Sequence, residues 1–205
     1  MHVTLSYRGD TFRPVLSRVG EVRSLVSRSV RVLALTATAT KSDRLDVSRT
    51  LGLRNPYVLA RCPAKTNVIY HAGSFQGIEE TFQPFAEQLV LKRNQFPKTI
   101  IYGRTFGICA DIYLYLKKCL GVAFTYPQDV PDLPDFRLVE MFTSVTECKH
   151  KSKILELFKT KSSLRVVVAT IAFGMGVDCP DVRQIIHIGV PDDIGSYIQE
   201  IGRAG

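Results

Sequence analysis

Apolar residues recur along this chain in two alternating modes. Short continuous runs are separated by longer stretches with the three-to-four-residue spacing of a helix. Residues 30–36 (VRVLALT), 98–102 (KTIIY), 165–170 (RVVVAT) and 184–188 (QIIHI) are runs of the first kind and predict strands. Residues 57–60, 68–71 and 136–142 predict further strands. Helical spacing runs through 16–27, 41–51, 79–94, 106–120, 147–158 and 194–201. Gly52 and Gly121 stand where helices would close, because the residue past a helix end often needs a left-handed backbone. Segment 126–135 holds three prolines and predicts a loop with no assigned function.

Apolar strands alternating with helices imply βαβ units in a parallel sheet covered on both faces. The fold class is therefore α/β. Cys62-Pro63 interrupts the pattern near residues 62–65. The expected division is 1–63, with too few strands to cover its own sheet, and 64–205, a nearly complete α/β lobe.

Composition changes little of this. The 205 residues are 45% hydrophobic and 22% charged, which suits a globular chain able to bury a core. A net charge of +8 favours an anionic partner such as nucleic acid. The five cysteines are scattered, and no pair has metal-ligand spacing, so reduced thiols in the cytosol or nucleus are expected. No run of about 18 apolar residues occurs, so no membrane span is expected.

Three polar clusters follow strand ends, where ligands bind in open α/β sheets, and a fourth lies at the end of the last helical run. Thr36-Ala37-Thr38-Ala39-Thr40 closes the run 30–36, and Thr40 suits the cap of the next helix. Arg104-Thr105 follows the run 98–102. Arg104 can pair with a phosphate, and Thr105 can offer a hydroxyl at a helix start. Thr170 ends the run 165–170 and leads into Phe173-Gly174-Met175-Gly176-Val177-Asp178. Its glycines allow a close backbone approach to a ligand. Gln199 and Arg203 stand four apart and share one helical face if the turn persists. Taken alone, the threonine run reads as helix capping and Arg203 as an exposed arginine, phosphate contact at Arg104 stands ahead of a merely capped helix, and a tight turn explains the glycines of 169–178 but not the full string. His71, within Tyr70-His71-Ala72-Gly73, reads as an ordinary strand residue, and His150 and His187 read as isolated structural residues.

Taken together these strings resemble the RecQ family of superfamily 2 helicases. Residues 35–40 are similar to the family's third motif, 99–105 to its fourth, 169–178 to its fifth and 196–205 to its sixth. Gly9-Asp10-Thr11-Phe12-Arg13-Pro14 resembles the family's aromatic-rich loop. Two departures stand out. Arg8 occupies that loop's usual tryptophan position, and Gly103 occupies a usual cysteine position in the fourth motif.

The resemblance implies a RecA-like lobe and an ATP-dependent DNA helicase moving 3′ to 5′ on single-stranded or forked DNA, with roles in repair and recombination. It implies ATP and Mg2+ as cofactors and a location in the nucleus or on chromosomes, with the cytoplasm as the alternative. Arg203 would stabilise charge on the transferring phosphoryl group, with Gln199 beside it, while Asp178 and Gly176 would face the nucleotide. Arg104, Thr105, Thr170, Phe12 and Arg13 would contact DNA, and Thr36, Thr38 and Thr40 would couple hydrolysis to lobe movement. The chain contains no Gly-x-x-x-x-Gly-Lys-Ser/Thr and no Asp-Glu-x-His. The expectation is a tail of the first lobe plus a second lobe cut inside its last motif, unable to hydrolyse ATP without the missing first-lobe segment. The alternatives are a non-catalytic nucleic-acid-binding or partner-docking lobe, or an incomplete gene model.

Overall fold

The computed structural model describes residues 2–4, 21, 25, 27, 30–36, 39–62, 65–170, 173, 179, 181–191 and 193–204. The chain forms two compact units, Met1–Ala64 and Lys65–Gly205.

In the first unit β1 (His2–Thr4) pairs in parallel with β2 (Leu33–Leu35). Helix α1 (Lys41–Thr50) follows. Thr40 starts it with a capping box. The Thr40 hydroxyl accepts from the Asp43 amide, and the Asp43 carboxylate accepts from the Thr40 amide at 2.8 Å. Two donors that a helix start leaves orphaned are thereby satisfied. Gly52 adopts φ +57° just past the helix, as the sequence predicts.

The second unit is a four-stranded parallel sheet flanked by helices. Its elements are α2 (Ile78–Lys92), β3 (Lys98–Gly103), α3 (Phe106–Leu120), β4 (Val139–Phe142), α4 (Cys148–Lys159), β5 (Val166–Ala169), β6 (Val182–Ile188) and α5 (Ile194–Ile201). The strand order is β4-β5-β3-β6. Register places Tyr102 beside Ala169 on one side and His187 on the other. Side chains alternate across a strand, and β3 distributes its residues accordingly. Ile101 joins Val166, Val168 and Val139 against α2 and α3. Ile100 and Tyr102 join Val167, Phe142 and α4. Both sheet faces are covered, which is why β3 and β5 read as unbroken apolar runs.

The expected strands at 57–60 and 68–71 do not form. Both segments lack ladder pairing, and Tyr57 and Ile69 are more than four-fifths exposed. Strand-like composition does not supply the neighbour that a strand needs. His71, read as a strand residue, sits in the second of these unpaired segments. The loop 126–135 ends in a short 3-10 turn, Pro134–Phe136. Ion pairs bind it to the lobe: Asp132 to Lys117 and Arg137, and Asp135 to Lys153. The hydrogen bond from Arg137 is the main reason the Asp132 carboxyl is held below its ordinary range.

At the amino edge of the sheet the ammonium of Lys98 is buried. It donates to the Phe158 carbonyl at 2.6 Å and pairs with Asp181 at 2.8 Å. The ammonium of Lys98 is thus engaged by structural contacts. The carboxyl edge is built differently.

Candidate functional site

Three adjacent parallel strands end together at the carboxyl edge. Gly103, Arg104 and Thr105 close β3, Thr170 follows β5, and Gly189 follows β6. Each strand stops for a local reason. Gly103 is packed so closely that a Cβ there would lie 2.7 Å from Cys109 Sγ, so the strand meets the start of α3 without a gap. Thr105 caps that helix, its hydroxyl accepting from the Ile108 amide at 3.2 Å. Gly189 takes φ +92°, a backbone open to glycine and strained for other residues. A Cβ there would lie 3.8 Å from Arg104 Cβ, so the ends of β3 and β6 touch at this point.

Arg104 and Thr105 are exposed and Thr170 is half-buried. The edge thus presents a guanidinium and two hydroxyls from neighbouring strand ends. An arginine offers planar, charged donors suited to phosphate oxygens. The Thr105 hydroxyl accepts from the cap and still has its own proton to donate.

Behind this edge lies a polar cluster that sequence reading did not find. His187 stacks on Tyr102 with ring centroids 5.2 Å apart at 18°. Its Nε2 lies 2.8 Å from Glu200 Oε2, and Tyr197 of α5 tilts against the same imidazole at 5.4 Å. Glu200 is buried. His187, read as isolated, is thus the joint between β6 and α5. His150, read likewise, lies 3.1 Å from the buried Glu140 carboxylate, which Arg137 also reaches. Both carboxylates sit far from these histidines in sequence, which is why spacing gave no sign of them.

Arg203 lies one residue beyond the Gly202 cap of α5. Its amide donates to the Glu200 carbonyl at 3.2 Å, so a tight turn continues the helix. Burial pushes the Tyr102 hydroxyl up to about 12, with the positive charge of Arg203 opposing the rise and Glu200 adding to it. Arg203 is therefore close behind the end of β3. Gln199 is on the exposed side of α5.

Thr36 and Thr40 belong to the first unit, where Thr40 serves as the α1 cap. Phe12, Arg13, Thr38, Gly176 and Asp178 lie outside the described residues. Within the Gly-rich turn Phe173 is described and fully buried, edge-on to Phe142 at 4.9 Å and to Phe158 at 5.9 Å. Among the described residues no group of three or more His, Cys, Asp or Glu side chains could hold a metal ion.

The chain is similar to known proteins in sequence and in fold. The family described as the helicase conserved C-terminal domain matches residues 82–205. ATP-dependent helicase wrn-1 of Caenorhabditis elegans is 32% identical over 98% of this chain, which spans 18% of that protein. ATP-dependent DNA helicase RecQ of Pasteurella multocida (strain Pm70) is 30% identical over 98% of this chain, which spans 28% of it. Saccharomyces cerevisiae Dbp5, solved bound to RNA and ADP BeF3, superposes over the whole chain with a TM-score of 0.68 at 16% identity, this chain covering 49% of it. That likeness identifies the RecA-like fold. The chain belongs to the helicase conserved C-terminal domain family, and within it to the RecQ type.

Proposed function

We propose that this chain supplies the second motor lobe of an ATP-dependent DNA helicase that moves 3′ to 5′. One observation carries the reading. Arg203 lies close behind a sheet edge that also presents Arg104, Thr105 and Thr170. A motor lobe needs both chemistries there, a grip on the nucleic-acid backbone and a charge directed at the nucleotide. The names of the relatives, ATP-dependent helicase and ATP-dependent DNA helicase, support the same reading.

In this reading Arg203 faces the terminal phosphate of ATP across the cleft to a phosphate-binding lobe. Its planar donors stabilise charge that develops as the phosphoryl group leaves. Gln199, one helical turn earlier, stands beside it. Asp178 and Gly176 contact the nucleotide from the Gly-rich turn. Arg104, Thr105 and Thr170 hold DNA phosphates, and Phe12 and Arg13 add contacts from the first unit. Thr36, Thr38 and Thr40 transmit the nucleotide state between units. Among the described residues no side-chain cluster could hold Mg2+, so its ligands would come from the lobe that bears the Asp-Glu-x-His box. No Walker loop occurs in these residues, so turnover requires one from a first-lobe segment.

The test is DNA-stimulated ATP hydrolysis by the chain complemented with a lobe bearing the Walker loop and Asp-Glu-x-His box. Arg203→Ala is expected to lower kcat by about a thousandfold. Unchanged turnover in that variant would remove the reading. Binding of DNA without any complemented turnover would instead favour a non-catalytic nucleic-acid-binding lobe.

A further inference from the structure

The turn that carries Arg203 is held by a residue from the opposite end of the unit. Lys65 is the first residue of the second unit. Its Nζ donates to the carbonyl oxygen of Gly202 and to that of Ala204, each at 2.7 Å. Those carbonyls flank Arg203 on either side. The last carbonyls of a helix have no intrahelical donor and carry its negative partial charge. A single ammonium meeting both holds the peptide plane that enters Arg203 and the plane that leaves Ala204, and so brackets the two-residue turn from which the Arg203 side chain projects.

Other contacts restrict the same turn. The Ala204 amide donates to the Ile201 carbonyl at 3.1 Å, and Ala204 is buried. A Cβ on Gly202 would lie 3.0 Å from the Ile198 carbonyl oxygen, so the turn presses on the helix end. From the sheet side, Glu200 is tied to His187. These contacts hold the helix and the turn's curvature. Lys65 alone, among the described contacts, reaches the turn from the segment entering the unit.

We propose that Lys65 is the positioning residue for Arg203. It sets the guanidinium's approach, and it links the chain entering this unit to the group that meets phosphate. The inference rests on the reading of Arg203 given above. Lys65 opens the second unit and Arg203 closes it, so one side chain ties the first residue of this unit to the turn that carries the arginine. Ordinary helix-end capping by a lysine would stabilise α5 and do nothing more. The two roles separate in kinetics.

Lys65→Met keeps the aliphatic stem and removes the donors, and Lys65→Arg restores a two-pronged donor. In the complemented ATPase, Lys65→Met is expected to lower kcat by about ten- to a hundredfold, since a small misplacement of a catalytic group costs that much. The KM for ATP should change by less than about twofold. Lys65→Arg should recover most of the loss. An unchanged kcat in Lys65→Met overturns the proposal, as does a loss of kcat that tracks the melting temperature without rescue by arginine. Hydrogen exchange on the 205-residue chain checks the latch without any turnover. The amides of Arg203 and Ala204 should exchange about tenfold faster in Lys65→Met while those of β3 and β5 do not change. Unaltered exchange at these two amides overturns the latch. A silent Arg203→Ala beside faster exchange places the failure in the arginine's assigned role instead.

Discussion

His187 Nε2 stands 2.8 Å from the buried carboxylate of Glu200 while its ring lies against Tyr102. One imidazole thereby joins β6, β3 and the helix that leads to Arg203. Removing a partner from a buried pair costs more than the pair contributes, because the remaining group keeps its desolvation cost. His187→Ala is expected to lower stability by about 3 kcal/mol. Glu200→Gln retains a hydrogen-bonding group and should cost about 1 kcal/mol. Urea unfolding followed by circular dichroism reads both. Equal losses would mean that the contact is simple packing.

Gly103 and Cys109 are fitted to one another. The sulfur occupies the space that a side chain at 103 would take, at 2.7 Å from the Cβ position. The cysteine comes from the first turn of α3. Gly103→Ala should destabilise by about 1–3 kcal/mol through overpacking. Adding Cys109→Ala removes the obstructing sulfur, so the pair should be less damaging than the sum of the single changes. Additive losses in denaturant titrations would disprove the fit.

Alkaline stability follows from two buried acids, Cys109 and Tyr102, and the half-buried Tyr113. Burial pushes Cys109 up to about 11, and Tyr102 and Tyr113 up to about 12, above the ordinary thiol and phenol ranges. In the unfolded chain these groups lose their protons first. The folded state then holds more protons, so stability falls as pH rises. Their contribution is intact below about pH 9, where the unfolded thiol begins to ionise, and is lost progressively toward about pH 12. Melting temperatures recorded from neutral to alkaline pH should decline over that window, and Cys109→Ala should delay the onset. The same burial governs labelling. Iodoacetamide should modify the exposed Cys62, Cys119 and Cys148 in the native chain, with Cys109 and Cys179 reacting after unfolding.

Local chemistry made much of the lobe legible. Thr105 and Gly121 bracket α3, and its predicted bounds of 106–120 match the structure. Strands β3 and β5 announce themselves because both of their faces are buried. Residues 57–60 and 68–71 have the same apolar, β-prone character and form no strand, since pairing is decided by a partner elsewhere in the chain. The site divides the same way. Arg104, Thr105 and Thr170 sit at strand ends, which periodicity locates. Lys65 carries no local mark, and its contacts lie 137 and 139 residues away. Glu200 carries no local mark either, and its partner His187 comes from the preceding strand.

Thr105 separates the structural and binding roles of the sheet edge. Its hydroxyl caps α3 at 3.2 Å from the Ile108 amide, and it neighbours the exposed Arg104. Thr105→Ala removes the cap and should cost about 1 kcal/mol. It leaves the charge of the edge unchanged and removes one neutral hydrogen bond to phosphate, so affinity for single-stranded DNA should fall by only about fivefold. Thr105→Asp supplies an equally good cap but sets a negative charge where phosphate is proposed to lie. It should keep the stability and lose DNA affinity. Arg104→Ala should weaken binding across sequences and reduce the slope of log affinity against log salt by about one phosphate contact. Fluorescence anisotropy at several salt concentrations, alongside thermal melts, yields both coordinates for each variant. Stability and affinity falling together in all three would mean that the edge acts only through folding. Opposite responses of Thr105→Ala and Thr105→Asp would assign the edge to the phosphate backbone.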